Sequence, residues 1–568
     1  MAPARFPRIE LKTVLITILL GSLFSLVLYP LFMLVLSSFQ LGSPGSETTR
    51  YGLDNWFAAF HQAGLVEAIR NTVVLTVVLQ LIAFPISVFV SWLLARTDIP
   101  GKNWIDLLFW VTFFMPILPV TLGWILVFDP SFGLANQMAK SLFNLREPPF
   151  NIYSFAGIAW VHLVTRTIAT KVILLTPAFQ NMDASLEEAS RISGRGSFGT
   201  LRRVIVPIML PSIIIVFLMG TIYTLESFEV ERVLGPAFQF YVYSTKIYQM
   251  IRSEPVDYGA ATVLGVVVLI AMIPLILFQQ RISRKSAFAT ISGKSKTTPY
   301  ALGRWKWPAF ALILGMGVVF TFIPLVFLLM GTFMRLFGFF GIKNAFTFDH
   351  WVDVLTNDVF LRSLGNSLIL GSGTAAASVV LFSIVAYIVV KTRFAGRGVI
   401  DFLSWLPIAI PGIIMGLGFL WLFLRTPILQ PLYGSIFSLM IVTLLASMTL
   451  GVQLFKSNLL LISSDLEESS WVSGGSWPFT FRRVIVPLMM PTLISVGIAS
   501  FVVSIRNVSN VAILSTSQNQ TLAIMQMNYM ADGSYEGASV LGVMVVLLTT
   551  GVAIIARLSG IKVGRLRS

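Results

Sequence analysis

One block of this chain is written twice, 280 residues apart, and the duplication restricts the fold to two halves built alike. Leu186-Glu187-Glu188-Ala189-Ser190, then Gly194 and Arg202-Arg203-Val204-Ile205-Val206-Pro207, return as Leu466-Glu467-Glu468-Ser469-Ser470, Gly474 and Arg482-Arg483-Val484-Ile485-Val486-Pro487. Fifteen of the twenty-six positions from 186 to 211 are identical to their counterparts, where ordinary residue frequencies would give roughly two. Each copy therefore belongs to one structural repeat.

The setting of those halves follows from composition. With 56% hydrophobic residues, 11% charged, a mean hydropathy of +0.84 and no cysteine, the chain has more apolar surface than a water-soluble core can hide. A spanning helix needs about 20 mostly apolar residues. About twelve such stretches occur, near 14–37, 72–95, 104–127, 154–176, 208–226 and 258–279, then 308–333, 367–390, 400–424, 435–458, 489–510 and 537–556. The expected fold is all-α: a polytopic membrane protein of about twelve transmembrane helices in two homologous six-helix halves. The halves occupy residues 1–282 and 305–568, joined by a basic, Ser/Thr-rich linker over 283–304. The first stretch is too long for a secretory signal core and lacks a small-residue cleavage site, so it is expected to remain as a helix.

Lysine and arginine set the orientation. Arg5, Arg8 and Lys12 precede the first stretch; Arg96 and Lys102, Arg191 to Arg203, and Arg281 to Lys296 fall on the same side. In the second half Lys391, Arg393 and Arg397, Arg482 and Arg483, and Arg557 to Arg567 repeat the pattern. The positive-inside rule makes that side cytoplasmic, with both termini and both repeated loops on it. The net charge of +15 is accounted for by this asymmetry and by attraction to anionic lipid, so no nucleic-acid partner is expected.

The repeated loop reads as a short capped helix outside the membrane. Ser185 and Asp465 are N-cap types, each followed three residues later by Glu188 or Glu468, a capping-box spacing. Gly194 and Gly474 stand where a C-terminal glycine ends a helix. A helix of about two turns is marginal alone and needs something to pack against. Energy must come from elsewhere: Gly293-Lys294-Ser295 resembles the end of a phosphate-binding loop, but position 288, where the motif needs glycine, is Phe.

These residues carry a resemblance. Glu188-Ala189-Ser190, Gly194 and Val204-Ile205-Val206-Pro207, with Glu468-Ser469-Ser470, Gly474 and Val484-Ile485-Val486-Pro487, look like two copies of the Glu-Ala-Ala signature of permease subunits of ABC importers. Serine replaces one alanine in the first copy and both in the second. The resemblance implies a type I importer fold in a bacterial inner membrane, with coupling residues Glu187, Glu188, Gly194, Arg202 and Arg203, and Glu467, Glu468, Gly474, Arg482 and Arg483. It further implies a homodimeric cytoplasmic ABC ATPase that carries ATP and Mg, an extracytoplasmic binding protein meeting loops near 40–70 and 334–365, and no cofactor on this chain. An Asn opens the second span of each half (Asn71-Thr72, Asn366-Ser367), as is common in that family. Within it, Phe240 to Tyr248 with Asp257 to Ala261, and Met527 to Met530 with Glu536 to Ser539, are similar to segments of the ferric-iron group. Fused permeases for thiamine and aminoethylphosphonate look similar, so ferric iron rests on analogy.

Charges inside apolar stretches are the other candidates, since each costs about 2.5–3.5 kcal/mol at mid-bilayer on insertion scales. His162, Arg166 and Lys171 lie along the fourth stretch, where the second half has Val442, Ala446 and Gly451. Arg166 and Lys171 either lie near the cytoplasmic surface or snorkel to it, or they line the pathway. In the fifth, Glu226 maps onto Arg506 at the repeat offset, an opposite-charge pair that would close the pathway if the two helices face each other. Glu229, Glu231, Tyr223, Tyr241 and Tyr243 offer oxygen atoms of the kind a hard cation prefers, but carboxylates near a membrane surface are commonly just solvated, and no metal ligands are assigned. No cysteine, three histidines and no nucleophile–base constellation leave little for an enzyme. The competing class is a gradient-driven secondary transporter, which would more naturally keep acids at mid-span than a docking helix in each half.

Overall fold

The computed structural model describes residues 11–41, 50–180, 182, 190, 192–194, 197–286, 299–392 and 394–558. The first half runs α1 (Leu11–Ser38), α2 (Leu65–Arg96), α3 (Lys102–Phe114), α4 (Ile117–Phe128), α5 (Phe155–His162), α6 (Ile168–Gln180), α7 (Val206–Leu225), the short α8 (Glu229–Leu234) and α9 (Tyr243–Arg252), and α10 (Tyr258–Ser286). The second runs α11 (Lys306–Gly317), α12 (Ile323–Phe333), α13 (Asp358–Lys391), α14 (Arg397–Trp405), α15 (Gly412–Arg425), α16 (Ile436–Leu459), α17 (Asp465–Val472), α18 (Val486–Ile505), α19 (Leu522–Ala531) and α20 (Tyr535–Val546). Among the described residues the only ladder is a two-residue pairing of Gln40–Leu41 with Arg50–Tyr51.

Among the described residues ten helical segments are long and apolar enough to cross a membrane, so the all-α polytopic expectation holds. The third and ninth apolar stretches differ from it: they are not single rods but bent pairs, α3 with α4 at 100° and Arg397–Ile408 with α15 at 113°. Twelve crossings result only if each pair counts as one. Proline causes both breaks. It supplies no N–H and drives the preceding residue to extended backbone, and Met115 before Pro116 (ψ 134°) and Ile410 before Pro411 (ψ 113°) are extended.

The halves interlock through their first helices. α1 packs on α15 of the second half, and α12 packs on α4 of the first. At the second contact the backbones nearly touch: a Cβ on Gly123 would lie 2.2 Å from the Pro324 carbonyl oxygen, so no larger residue fits there. Polar ties cross the same seam, Thr112 to Thr321 at 2.8 Å and Trp421 Nε1 to Thr262 Oγ1 at 2.9 Å.

Both ends of the linker expected over 283–304 are structured. α10 continues to Ser286, residues 287–298 lie outside the described residues, and the far end is docked. Tyr300 exchanges backbone hydrogen bonds with Arg96 and Asp98 (2.7 and 3.0 Å), and the Leu302 N–H donates to Asp98 Oδ1 at 2.9 Å. That N–H, with the Lys306 ammonium 3.3 Å away, holds the Asp98 carboxyl below its ordinary pKa despite some burial cost.

Candidate functional site

Two regions gather the residues singled out above: the repeated loops, and the place where the fifth spans of the two halves end.

In the second loop, α17 is the short helix read from the sequence, but its N-cap is Ser464, not Asp465; the Ser464 side chain does not cap it, and Asp465 N–H donates to Ser463 Oγ at 3.3 Å. The capping box of Asp465 with Glu468 is therefore absent. Asp465, Glu467 and Glu468 instead fill the first turn, where acids favour the positive end of the helix dipole. Glu467 is drawn inward: Tyr387 OH donates to it at 2.7 Å and Lys391 Nζ stands 3.2 Å away, both on α13. Glu468 points to solvent. At the other end Gly474 takes φ +83°, its N–H donating to Trp471 O at 2.9 Å while Gly475 N–H donates to Ser470 O at 2.8 Å, the paired bonds of a Schellman stop.

Of the first loop, residues 183–189 and 191, with Glu187 and Glu188 among them, lie outside the described residues. What is described matches the second copy. Gly194 has φ +77°. Ser190 Oγ and Thr200 Oγ1 are 2.9 Å apart, and their counterparts Ser470 and Thr480 are 2.8 Å apart. Arg202 and Arg203 sit exposed in a π turn, Leu201–Ile205, and Arg482 and Arg483 in its twin, Phe481–Ile485. Each π turn immediately precedes a helix whose second residue is proline, Pro207 or Pro487, which cannot donate to the i−4 carbonyl. A feature the sequence reading missed is that Ile192 is 87% exposed and Val472, at the equivalent position, 90%. A β-branched apolar side chain left bare in both copies is a surface waiting for a partner; the signal was an aliphatic residue at one loop position in both repeats.

The second region is the end of α7 and α18, whose C-caps are Glu226 and Arg506. The expected Glu226–Arg506 ion pair is not formed among the described residues. Arg506 Nη1 donates to the Phe113 carbonyl at 2.7 Å, with the Phe113 ring 5.6 Å from the guanidinium. The reason is the break after α3, which leaves its last carbonyls without helical partners and at the negative end of the dipole. The contact between the two segments lies three residues on: Ser509 Oγ donates to Glu229 Oε1 at 3.3 Å.

Arg166 is the twelfth residue of the 26-residue span Phe155–Gln180, in a π turn (Leu163–Thr167) between α5 and α6, exposed and 5.1 Å from the Tyr223 ring centre on α7. A guanidinium at mid-span is costly against lipid, and the Tyr223 ring face is the partner it has there. Lys171 is buried, donating to Thr167 O at 3.3 Å, and does not snorkel. One turn outward, His162 Nε2 meets Glu231 Oε1 at 2.8 Å, Ser227 Oγ joins it at 2.7 Å, and Glu231 is fully buried.

The remaining oxygen donors are dispersed. Tyr243 OH is spent on Leu264 O at 2.7 Å, and no group of three His, Asp or Glu among the described residues is placed to hold a metal ion. The Asn that opens each second span has a structural task. Asn71 donates to Tyr241 O, and Asn366 to Gln518 O and Gln520 O; the neighbouring Thr72 and Ser367 accept from Tyr243 N and Leu522 N. Both pin the helix that follows the fifth span.

The family model described as binding-protein-dependent transport system inner membrane component matches residues 87–287 and again 378–564. A ferric transport system permease protein of Actinobacillus pleuropneumoniae is 26% identical over 539 residues, covering 93% of this chain and 75% of that protein. A putative ferric transport system permease protein of Haemophilus influenzae is 26% identical over 516 residues, 88% and 78% of the two. A molybdenum transport system permease protein of Escherichia coli is 25% identical over 211 residues, 36% of this chain and 90% of its own. A crystal structure of a bacterial alginate ABC transporter, with a periplasmic protein bound to alginate pentasaccharide, aligns at TM-score 0.40 and 19% identity, over 49% of this chain and 96% of the other. The fold assignment rests on the helices and the doubled family match, not on this likeness.

Proposed function

The chain belongs to the binding-protein-dependent transport inner membrane components, twice over in one polypeptide, and from that premise we propose that it supplies both permease halves of an ATP-driven importer of ferric iron. It is a multi-pass membrane permease of the ABC importer class; the cargo, the docking partners and the orientation are the proposal.

The observation that carries it is the doubled loop. Two short segments, ended by the same left-handed glycine and tied by the same serine–threonine hydrogen bond, present an exposed Ile192 or Val472 and, ten residues on in the sequence, an exposed arginine pair. Two equal surfaces fit two equal subunits, so one chain serves a homodimeric cytoplasmic ATPase, which binds ATP and Mg. Glu467 is held by Tyr387 and Lys391, so Asp465 and Glu468 are the acids of that helix exposed to meet the ATPase, with Glu188 the counterpart of Glu468. Closure of the ATPase moves both loops together, and the interlocked halves rock between inward and outward openings. An extracytoplasmic binding protein delivers the cargo to the opposite face. The excess of basic residues in the loops on their side favours a cytoplasmic position for both termini.

Ferric iron is favoured because the relatives named for it match across both halves, whereas the molybdenum relative covers only 36% of the chain. The test is uptake of radiolabelled ferric iron at low iron, in cells with and without this chain, against excess thiamine, aminoethylphosphonate and molybdate. Loss of iron uptake on deletion, unaffected by the competitors, supports the assignment. Unchanged iron uptake overturns the cargo and leaves the permease.

A further inference from the structure

A two-fold operation leaves only its own axis in place, so two equivalent residues that touch must lie on that axis. Glu229 and Ser509 are such a pair. The repeat offset of 280 relates α7 (Val206–Leu225) to α18 (Val486–Ile505) residue for residue and Glu226 to Arg506, and three positions later it relates Glu229 to Ser509. Ser509 Oγ donates to Glu229 Oε1 at 3.3 Å. In a permease of two like halves, the pseudo-two-fold axis is the line along which cargo passes between them.

Both helix breaks converge on the same point. At the second, Gly412 opens α15 so close to this segment that a Cβ there would lie 3.0 Å from Ser509 Cβ and 3.1 Å from Asn510 N; at Gly416 it would lie 2.8 Å from Asn510 O. At the first, the Phe113 carbonyl holds Arg506. Irregular backbone at membrane depth is tolerated only where protein buries it or where it lines a water-filled space. Arg166, exposed at mid-span with its guanidinium 5.1 Å from the Tyr223 ring, brings a charge to α7 three residues before Glu226.

We propose that the Glu229–Ser509 contact is the closing point of the pathway. Cargo passes only when this hydrogen bond parts, and the Arg506–Phe113 and Gly412–Ser509 contacts carry the movement of each bent pair to it. Glu229 and Ser509 are gating residues held by the opposite half, not a binding site. The inference rests on the two-half permease architecture and is independent of which solute is carried.

Because the chain has no cysteine, the test is direct. The complete complex carrying E229C and S509C, in proteoliposomes, is oxidised and then reduced with dithiothreitol. Expected are a 229–509 cross-link, at least a tenfold fall in uptake and in binding-protein-stimulated ATP hydrolysis, and recovery of both on reduction, with neither single variant responding. ATP hydrolysis reads the lock without reference to cargo, so a wrong ferric assignment leaves it interpretable. E226C with R506C, equivalent by the same offset but not in contact, should cross-link several-fold more slowly. A cross-linked chain that turns over as fast as the reduced one, or a faster 226–506 cross-link, overturns the proposal. Should the cysteine pair be inactive when reduced, E229Q with S509A is read instead for cargo leak without ATP. A several-fold rise supports the gate, and an unchanged leak overturns it.

Discussion

The fourth span of each half occupies equivalent positions, yet the two are built differently. In the first half it is interrupted by a π turn and carries His162, Arg166 and Lys171; in the second, α16 runs unbroken through Val442, Ala446 and Gly451. The repeated loops show the opposite: glycine stop, serine–threonine tie, π turn and exposed aliphatic recur in both. The proposed docking of both loops on two identical subunits would constrain them to stay alike. A single pathway bounded by two halves imposes no such constraint, so polar groups can be supplied by one side alone.

The largest expected effect breaks the likeness of the loops. I192E with V472E places carboxylates on both bare aliphatic knobs. At about 2 kcal/mol each for a buried interface anchor, the pair should weaken ATPase binding by roughly a thousandfold. The ATPase should fail to co-purify while the chain still elutes as a folded species. Either single variant should retain part of the binding; if only one matters, the two loops are not equivalent docks.

Next comes the polar pair of the first half. His162 and Glu231 correspond to Val442 and Val511, all four buried, so the second half fills the same two positions with aliphatics. H162V should destabilise by about 3 kcal/mol, because Glu231 is left as an uncompensated buried charge. H162V with E231V, which copies the second half, should recover to within about 1 kcal/mol of the parent, as replacement of a whole buried pair is often close to neutral. Denaturation in mixed micelles measures both. A double variant as unstable as the single would mean that Ser227 and the local fold depend on the carboxylate itself. Smaller again is R166Q, expected to slow uptake roughly tenfold, about 1.4 kcal/mol of barrier, with ATPase binding unchanged. Normal uptake would return Arg166 to a structural role.

How much of this could be read beforehand depends on the range of the interaction. Gly474 as a helix stop was legible because a left-handed residue is a local demand that glycine meets. The N-cap was misplaced by one residue because Asp465 and Ser464 are both suitable, and the decision falls to Glu467, whose partners Tyr387 and Lys391 lie some eighty residues away. The helix breaks were announced by Pro116 and Pro411, yet hydropathy over a window runs straight through them. Glu226 and Arg506 were correctly seen as equivalent and wrongly paired: opposite sign says nothing of a freed carbonyl on a third helix. The repeat offset itself pointed to Glu229 and Ser509, but a carboxylate and a hydroxyl do not stand out as partners until the backbone brings them together.

The finest comparison lies inside the repeat, at Thr200 and Thr480. Each hydroxyl pairs with the serine ten residues earlier, Ser190 at 2.9 Å or Ser470 at 2.8 Å, both threonines being buried. A hydrogen bond between neutral groups contributes about 1 kcal/mol net, so T200A and T480A should each loosen one loop by that much. Amide exchange of the loop residues should rise about fivefold in the altered copy alone. A two-turn helix is marginal without tertiary support, and α17 has a second anchor in Glu467 on α13. T480A should therefore disturb transport less than T480A combined with E467Q, by more than the sum of the separate effects. Additivity in that double variant would mean the two anchors hold independent parts of the loop rather than one coupled lever.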